Sequence, residues 1–165
     1  VPLKLNEQRN LFKLFQNDIG LLASQYASGI QMKILNDEIS VNYGAIYENF
    51  VAQELVAHGF GGNEHCIYYY NNKRQGELDF VIEQDGATVP IEVKSGKDYD
   101  RHNALSNVMT NPDYAIEKAY VLCNGNLVTR DNIIYVPIYM TMFIDKKHLE
   151  KKQIFRIDMT ALKQK

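Results

Sequence analysis

The sequence lacks most of the features that identify a protein's function at once. No apolar run approaches the roughly 18–20 residues needed to cross a membrane, and no signal-peptide pattern opens the chain. A glycine-rich loop followed by Lys-Ser or Lys-Thr is also missing, which argues against ATP binding by this chain. Internal repeats and low-complexity tracts are absent as well. These absences favour an ordinary globular domain.

Cysteine is scarce. Cys66 and Cys123 lie inside apolar, strand-like runs without the spacing of metal ligands. His58 and His65 do not complete a zinc set with Cys66, because no fourth ligand lies nearby in the sequence. We interpret both cysteines as reduced core residues and expect a cytoplasmic protein.

The chain also lacks a strong net charge. Its 165 residues are 45% hydrophobic and 23% charged, which suits one domain with a sizeable core. The net charge of −2 does not indicate a nucleic-acid-binding protein. Residues 145–165 carry seven Lys or Arg against three acids, which fits a solvated face or a phosphate-binding segment. Charge therefore leaves the partner open.

Two patterns predict helices in the first third of the chain. Asp18 is placed to cap a short helix over residues 19–24, and Asn42 to cap a longer one over residues 43–58 that ends at Gly59. An apolar stripe marks the longer helix: Ile46, Tyr47, Phe50, Val51 and Leu55. Glu48 lies at the edge of this stripe, so it is either a boundary residue or a carboxylate aimed at the sheet.

The remaining patterns predict further strands and helices. Strands are expected at residues 65–71, 119–123 and 133–136, a helix from Tyr99 or Asp100, and a short helix over residues 114–118. Residues 11–15 and 138–144 fit either a strand or a helical turn, and residues 154–157 fit a strand. The order of these elements predicts an α/β sandwich around one mixed sheet.

The most informative stretch runs from Gly76 to Lys97. Asp85-Gly86 is a favoured hairpin dipeptide, because both central turn residues need a positive φ. We expect Leu78, Phe80 and Ile82 to share one face of the first strand. Centring the hairpin on this turn places Asp79 opposite Glu92, with Lys94 on the same face.

Two carboxylates this close repel one another unless a cation lies between them. Oxygen ligands suit Mg²⁺ or Mn²⁺, and a neighbouring lysine can position a water molecule or stabilise a developing anion. The alternative is an ordinary surface hairpin in which Lys94 balances Asp79 and Glu92 as an ion triad. Apolar neighbours on both strands favour burial, and a buried acid pair favours a functional site.

Asp79 and the run Glu92-Val93-Lys94 resemble the PD-(D/E)XK signature of restriction-endonuclease-like nucleases, with Leu78 where the motif has proline. A wider resemblance covers residues 13–144. The segments KLFQNDIGLLAS, GAIYENFVAQEL, GELDFVIE, VPIEVKSGK and IIYVPIYM are similar, in this order, to the C-terminal domain of unknown function of prokaryotic AAA+ superfamily ATPases.

The resemblance implies a restriction-endonuclease-like core, a central mixed β-sheet flanked by helices, over residues 42–165. Residues 1–41 would connect it to an upstream AAA+ ATPase module of the same polypeptide, and a chain that begins at Val1 fits that expectation. The implied cofactor is Mg²⁺ or Mn²⁺, held by Asp79, Glu92 and the Val93 carbonyl. Lys94 and Glu48 complete the implied catalytic set.

The implied partner is nucleic acid, most readily DNA. Arg74, Lys97, Arg101 and His102 flank the hairpin and are candidates for substrate binding, although each also fits a plain turn or helix-capping role. Two functions remain open on the sequence. The domain is either a metal-dependent nuclease or a binding module that keeps the nuclease fold and docks onto DNA or its ATPase.

Overall fold

A computed structural model describes residues 3–36, 38, 41–61 and 67–145 of the chain. They form an α/β fold with a six-stranded mixed sheet and helices on its faces, as predicted. The helices are α1 (Ile19–Ser24), α2 (Ser28–Leu35), α3 (Gly44–Leu55) and α4 (Asn103–Met109). The strands are β1 (Ile67–Asn72), β2 (Gly76–Gln84), β3 (Ala87–Val93), β4 (Ala119–Cys123), β5 (Val128–Arg130) and β6 (Ile133–Pro137). No helix in this described part is long and apolar enough to cross a membrane.

The sheet has the strand order β1-β2-β3-β4-β6-β5. β1, β2 and β3 are antiparallel neighbours, whereas β3, β4 and β6 run parallel and β5 pairs antiparallel with β6. The predicted hairpin register is confirmed from Gln84–Ala87 to Phe80–Ile91. Asp85 and Gly86 have φ values of 54° and 77°, as this turn requires.

A β-bulge interrupts β2 at the proposed site. Tyr68 and Tyr70 of β1 are two residues apart, but their partners Val81 and Leu78 are three apart, so β2 carries one extra residue. The prediction that Leu78 and Phe80 share one face of β2 is therefore wrong, because the two side chains pack in different core clusters. The bulge falls at Asp79 and Phe80, where it re-aims the Asp79 side chain.

Two apolar cores cover the two faces of the sheet. On one face, α3 packs Val51 and Leu55 against Phe80 and Ile91, all almost fully buried. On the other face, α4 packs Leu105 and Val108 of the second cluster against a set from the sheet: Leu78, Val81, Ala119, Val121, Cys123, Ile133 and Tyr135. Because β2 and β3 are covered on both sides, Glu92 is buried and Asp79 is largely buried, whereas Glu83 near the turn stays exposed.

The predicted helix-end signals are confirmed in part. Asp18 Oδ1 accepts a hydrogen bond from the Leu21 amide at 2.9 Å, which confirms it as the cap of α1. Asn42 Oδ1 accepts one from the Gly44 amide at 3.0 Å, but the N-cap of α3 is Tyr43, so Asn42 lies one residue before the cap rather than at it. α3 then widens into the turn Val56–Phe60, in which Gly59 has a φ of 94°.

Other local predictions are wrong or incomplete. Residues 114–118 do not form a helix, because Ala115 has a φ of 48°, outside the helical range. α4 begins at Asn103, later than predicted. Residues 11–15 have no regular structure, whereas Ile138–Phe143 form a 3₁₀ helix. α2 and β5 escaped prediction because neither buries a residue. The predicted strand at 154–157 lies outside the described residues.

Candidate metal centre

The bulge in β2 turns Asp79 towards β3. Its Oδ2 accepts a hydrogen bond from the Val93 amide at 2.7 Å, so a side chain takes the place of a strand partner there. Only 17% of the Asp79 side chain is exposed. This contact brings Asp79 beside the end of β3 and leaves Oδ1 directed to the rest of the site. The strand pairing itself ends at Phe80–Ile91, so the predicted pairing of Asp79 with Glu92 is not part of it.

Glu92 is the most deeply buried acid of the site, with 7% of the residue exposed. Its Oε1 lies 2.7 Å from Lys94 Nζ. Its Oε2 is buried and has no hydrogen-bond partner among the described residues. A buried carboxylate oxygen without a donor is costly, so this atom is available to a cation or to a hydrogen-bond donor.

Lys13 connects two further carboxylates, those of Glu48 and Glu77, to Asp79. Its Nζ lies 2.7 Å from Glu77 Oε1, 3.7 Å from Glu48 Oε2 and 4.0 Å from Asp79 Oδ1. Glu48 therefore joins the site from α3, while 31% of its side chain remains exposed. The structure brings together the four predicted residues Glu48, Asp79, Glu92 and Lys94, and adds Lys13 and Glu77 to them.

The surroundings of the site disfavour the ionised form of its carboxyl groups. Burial raises the pKa of Asp79, although the Val93 amide and the charge of Lys13 oppose it. Burial also raises the pKa of Glu92, where the Lys94 hydrogen bond opposes it and the Asp79 charge adds to it. For Glu48, burial and then the Asp79 charge raise the pKa. Four carboxylates share two ammonium groups, so the site retains an excess of acid groups.

The pKa of Lys13 is shifted in the direction that favours its charged form. Burial lowers its pKa, but the hydrogen bond with Glu77 and the charges of Glu48 and Asp79 outweigh burial, so the pKa of Lys13 is raised. The site thus holds this lysine in its charged form.

The donor set fits a hard divalent cation with water completing its shell. Among the described residues, no three His, Cys, Asp or Glu side chains converge into a preformed metal cage. Mg²⁺ does not need such a cage, since it usually keeps several waters and takes one or two carboxylates from the protein. Asp79 and Glu92, with the buried Glu92 Oε2 unpaired, match that requirement.

A seven-residue stretch, Leu11–Asn17, carries Lys13 to the site and is called the docked segment below. Asn49 of α3, 2% exposed, holds it reciprocally: the Gln16 amide donates to Asn49 Oδ1 at 2.7 Å, and Asn49 Nδ2 donates to the Gln16 carbonyl at 3.1 Å. Gln53 Nε2 donates to the Asn17 carbonyl at 2.6 Å. The Phe15 ring adds an aromatic contact with Phe80, with centroids 5.5 Å apart.

The four predicted substrate-binding residues lie outside this group of contacts. Arg74 is exposed in the turn between β1 and β2, and its amide donates to Asn72 Oδ1. Lys97 and Arg101 are exposed between β3 and α4. His102 is buried at the start of α4, with Nε2 2.7 Å from Tyr135 Oη. His102 thus ties α4 to β6, and substrate binding by all four stays a prediction.

Sequence reasoning missed Glu77 and Lys13. Glu77 was within reach, because residues two apart on a strand share a face and Glu77 precedes Asp79 by two. Lys13 carried no local signal, since its position depends on contacts of the docked segment with α3 that are remote in sequence.

Fold and site together describe an α/β domain with a half-buried acidic centre at the junction of β2, β3 and α3. The chain belongs to the family described as "Domain of unknown function (DUF4143)", whose model matches residues 43–141. This agrees with the resemblance to the C-terminal domain of unknown function of AAA+ ATPases. No curated protein and no solved structure matches the chain significantly. The division of the chain at residue 42 stays a prediction.

Proposed function

We propose that this domain is a divalent-metal-dependent nuclease of the PD-(D/E)XK type with a restriction-endonuclease-like core. The observation that carries the proposal is the buried, unpaired Oε2 of Glu92 beside Asp79. A site built only for packing would satisfy that oxygen or replace it with an apolar group.

The residues have distinct roles in this proposal. Asp79, Glu92 and the Val93 carbonyl would hold Mg²⁺ or Mn²⁺. When bound, the ion would neutralise charge on a scissile phosphate and lower the pKa of a water molecule. Lys94, fixed by its 2.7 Å contact with Glu92, positions the attacking water or stabilises the developing anion. Glu48 faces the same centre from α3 and orients a water molecule there.

The proposed substrate is a nucleic acid, most readily DNA, in a cytoplasmic protein whose upstream part is an AAA+ ATPase module. A cleft of about 1460 Å³ is lined by Lys13 and Asp79 of the site, but not by Glu92 or Lys94. Its wall also includes the β1 tyrosines Tyr68, Tyr69 and Tyr70. A cleft of this size gives a polynucleotide strand access to Asp79.

Cleavage of mixed DNA and RNA substrates in Mn²⁺ tests this function. The wild-type chain should cleave one class of substrate, and Lys94→Ala and Glu92→Gln should not. Glu83→Gln is the matched control, because Glu83 is an exposed acid of the same hairpin and its partner is the Leu3 amide. Equal cleavage by wild type, Lys94→Ala and Glu92→Gln would overturn the assignment.

A second candidate function is a binding or regulatory module without catalysis, which docks onto DNA or the ATPase. One observation favours it: Lys13 and Lys94 already pair with the carboxylates, so part of the acidic charge is balanced without a metal. In this case Lys94→Ala would retain full binding of DNA or of the ATPase, and the wild-type protein would show no cleavage.

A further inference from the structure

Lys13 occupies the position of a cation in the acidic centre. Its ammonium lies within 4.0 Å of Glu48, Glu77 and Asp79, three carboxylates from two different elements of the fold. It also lies over the Tyr69 ring, 5.4 Å from the centroid, so an aromatic face completes its surroundings. Only 24% of the Lys13 side chain is exposed. An ammonium in such a setting is a substitute for an external cation.

The docked segment is built to deliver this ammonium. The segment has no regular secondary structure of its own. The side chains of buried Asn49 and of Gln53 hold its backbone through hydrogen bonds. Its apolar side chains remain exposed, with Phe12 at 70% and Leu14 at 86%. Polar clamps, one lysine and the single Phe15–Phe80 ring contact therefore hold the segment in place, with little further apolar burial. This is typical of an element that opens at modest cost.

We propose that Lys13 is a displaceable internal cation, and that binding of a divalent metal at Asp79 expels it and releases the docked segment from α3. The inference depends on the metal centre proposed above. Asp79 is shared between the two cations: its Oδ1 faces Lys13 Nζ at 4.0 Å, and the metal would use the same carboxylate. Two positive charges at one carboxylate repel, so occupancy by one weakens the other.

The consequence is reciprocal coupling between metal and segment. Anything that loosens the segment raises the affinity for metal, and metal loosens the segment by the same factor. Release would also remove the part of the cleft wall that the docked segment forms next to Asp79, and would so widen the cleft there. Metal loading and opening of the site to a polynucleotide would then be one event.

Two measurements on the whole chain test the coupling. Mn²⁺ affinity is measured by titration calorimetry for wild type, Lys13→Met, Gln53→Ala and the exposed control Lys33→Met. We expect Lys13→Met to bind about tenfold more tightly, within the 5–150-fold range typical of coupled sites. Gln53→Ala, which changes no charge and removes only the 2.6 Å bond to Asn17, should bind more tightly by a smaller factor. Lys33→Met should match wild type.

Hydrogen exchange of the backbone amide of Gln16 reports the release directly. This amide is protected by Asn49 Oδ1, and saturating Mn²⁺ should accelerate its exchange about tenfold in wild type. Mn²⁺ should have no such effect in Lys13→Met, where the coupling is removed.

The outcomes separate this inference from the proposed metal site. If Mn²⁺ binds but Gln53→Ala has wild-type affinity and Gln16 exchange is unchanged, displacement is overturned and the metal site stands. If no variant binds Mn²⁺, both fail. If Lys13→Met does not fold, Gln53→Ala and the wild-type exchange experiment still decide. Tighter binding by Gln53→Ala together with faster Gln16 exchange supports the coupling.

Discussion

Asp79 Oδ2 and the Val93 amide are joined by a 2.7 Å hydrogen bond that crosses from β2 to β3 at the bulge. One carboxylate thereby has two roles. It closes the end of the hairpin as a main-chain acceptor would, and its other oxygen faces the acidic centre. Fold and site are linked at this bond, so substitutions of Asp79 can separate the two roles.

Asp79→Asn and Asp79→Ala should differ in stability but not in cleavage. Asparagine keeps an oxygen that can accept from the Val93 amide, whereas alanine leaves that amide unpaired in a part-buried strand end. Both variants should lose Mn²⁺-dependent cleavage. Urea denaturation should show Asp79→Ala less stable than Asp79→Asn by about 1–3 kcal/mol. Equal stabilities would mean that the hydrogen bond contributes little.

The hairpin was predictable because its determinants are local. Asp85-Gly86 needs a specific turn, that turn sets the pairing of Phe80 with Ile91, and the pairing places Asp79 near Glu92. The α/β class was predictable for a similar reason, since apolar runs such as 119–123 read as buried strands.

The features that the sequence did not predict depend on contacts between distant parts of the chain. The bulge at Asp79 has no signature in GELDFVIE, because β1 pairing decides where the extra residue fits. The position of Lys13 follows from the Asn49 clamp, and a buried Asn on a helix does not reveal its partner in the sequence. Ala115 ends the predicted helix at 114–118 through a positive φ that alanine rarely adopts.

The stability of the metal-free protein should fall as pH rises through the titration of Glu92. Burial raises the pKa of Glu92, so the native state keeps a proton that the unfolded chain releases near its ordinary pKa of about 4.3. Stability is therefore greatest below that pH and is lost as pH rises through the raised native pKa. Glu92→Gln removes this ionisation and should flatten the decline.

Urea denaturation in EDTA between about pH 4 and pH 8 measures this decline. Glu83→Gln is the control, because Glu83 is exposed on the same hairpin. An identical pH dependence in Glu92→Gln and wild type would show that Glu92 carries no such linkage.

Asn49→Ala should destabilise the protein and free the docked segment. The substitution removes both hydrogen bonds to Gln16 and leaves a small cavity at a position only 2% exposed. We expect a loss of about 1–3 kcal/mol, from the hydrogen bonds and the cavity together.

Asn107→Ala is the matched control, because exposed Asn107 makes one 3.2 Å bond to a backbone carbonyl and should change stability by less than about 0.5 kcal/mol. Thermal unfolding checks both, and equal losses would argue against the clamp.

Gly76→Ala should cost more stability than Gly86→Ala, although both glycines have positive φ. At Gly86, with φ 77°, an added Cβ meets nothing within 4 Å, so the cost is backbone strain of about 1–2 kcal/mol. At Gly76, with φ 102°, the Cβ would lie 2.8 Å from Ala104 Cβ on α4, so β2 or α4 must also move. That shift would displace Glu77 and Asp79, which lie one and three residues after Gly76 on β2. We therefore expect Gly76→Ala alone to weaken Mn²⁺ binding as well as stability, measured by titration calorimetry and urea denaturation. Unchanged Mn²⁺ affinity in Gly76→Ala would show that packing of β2 on α4 does not position the acids.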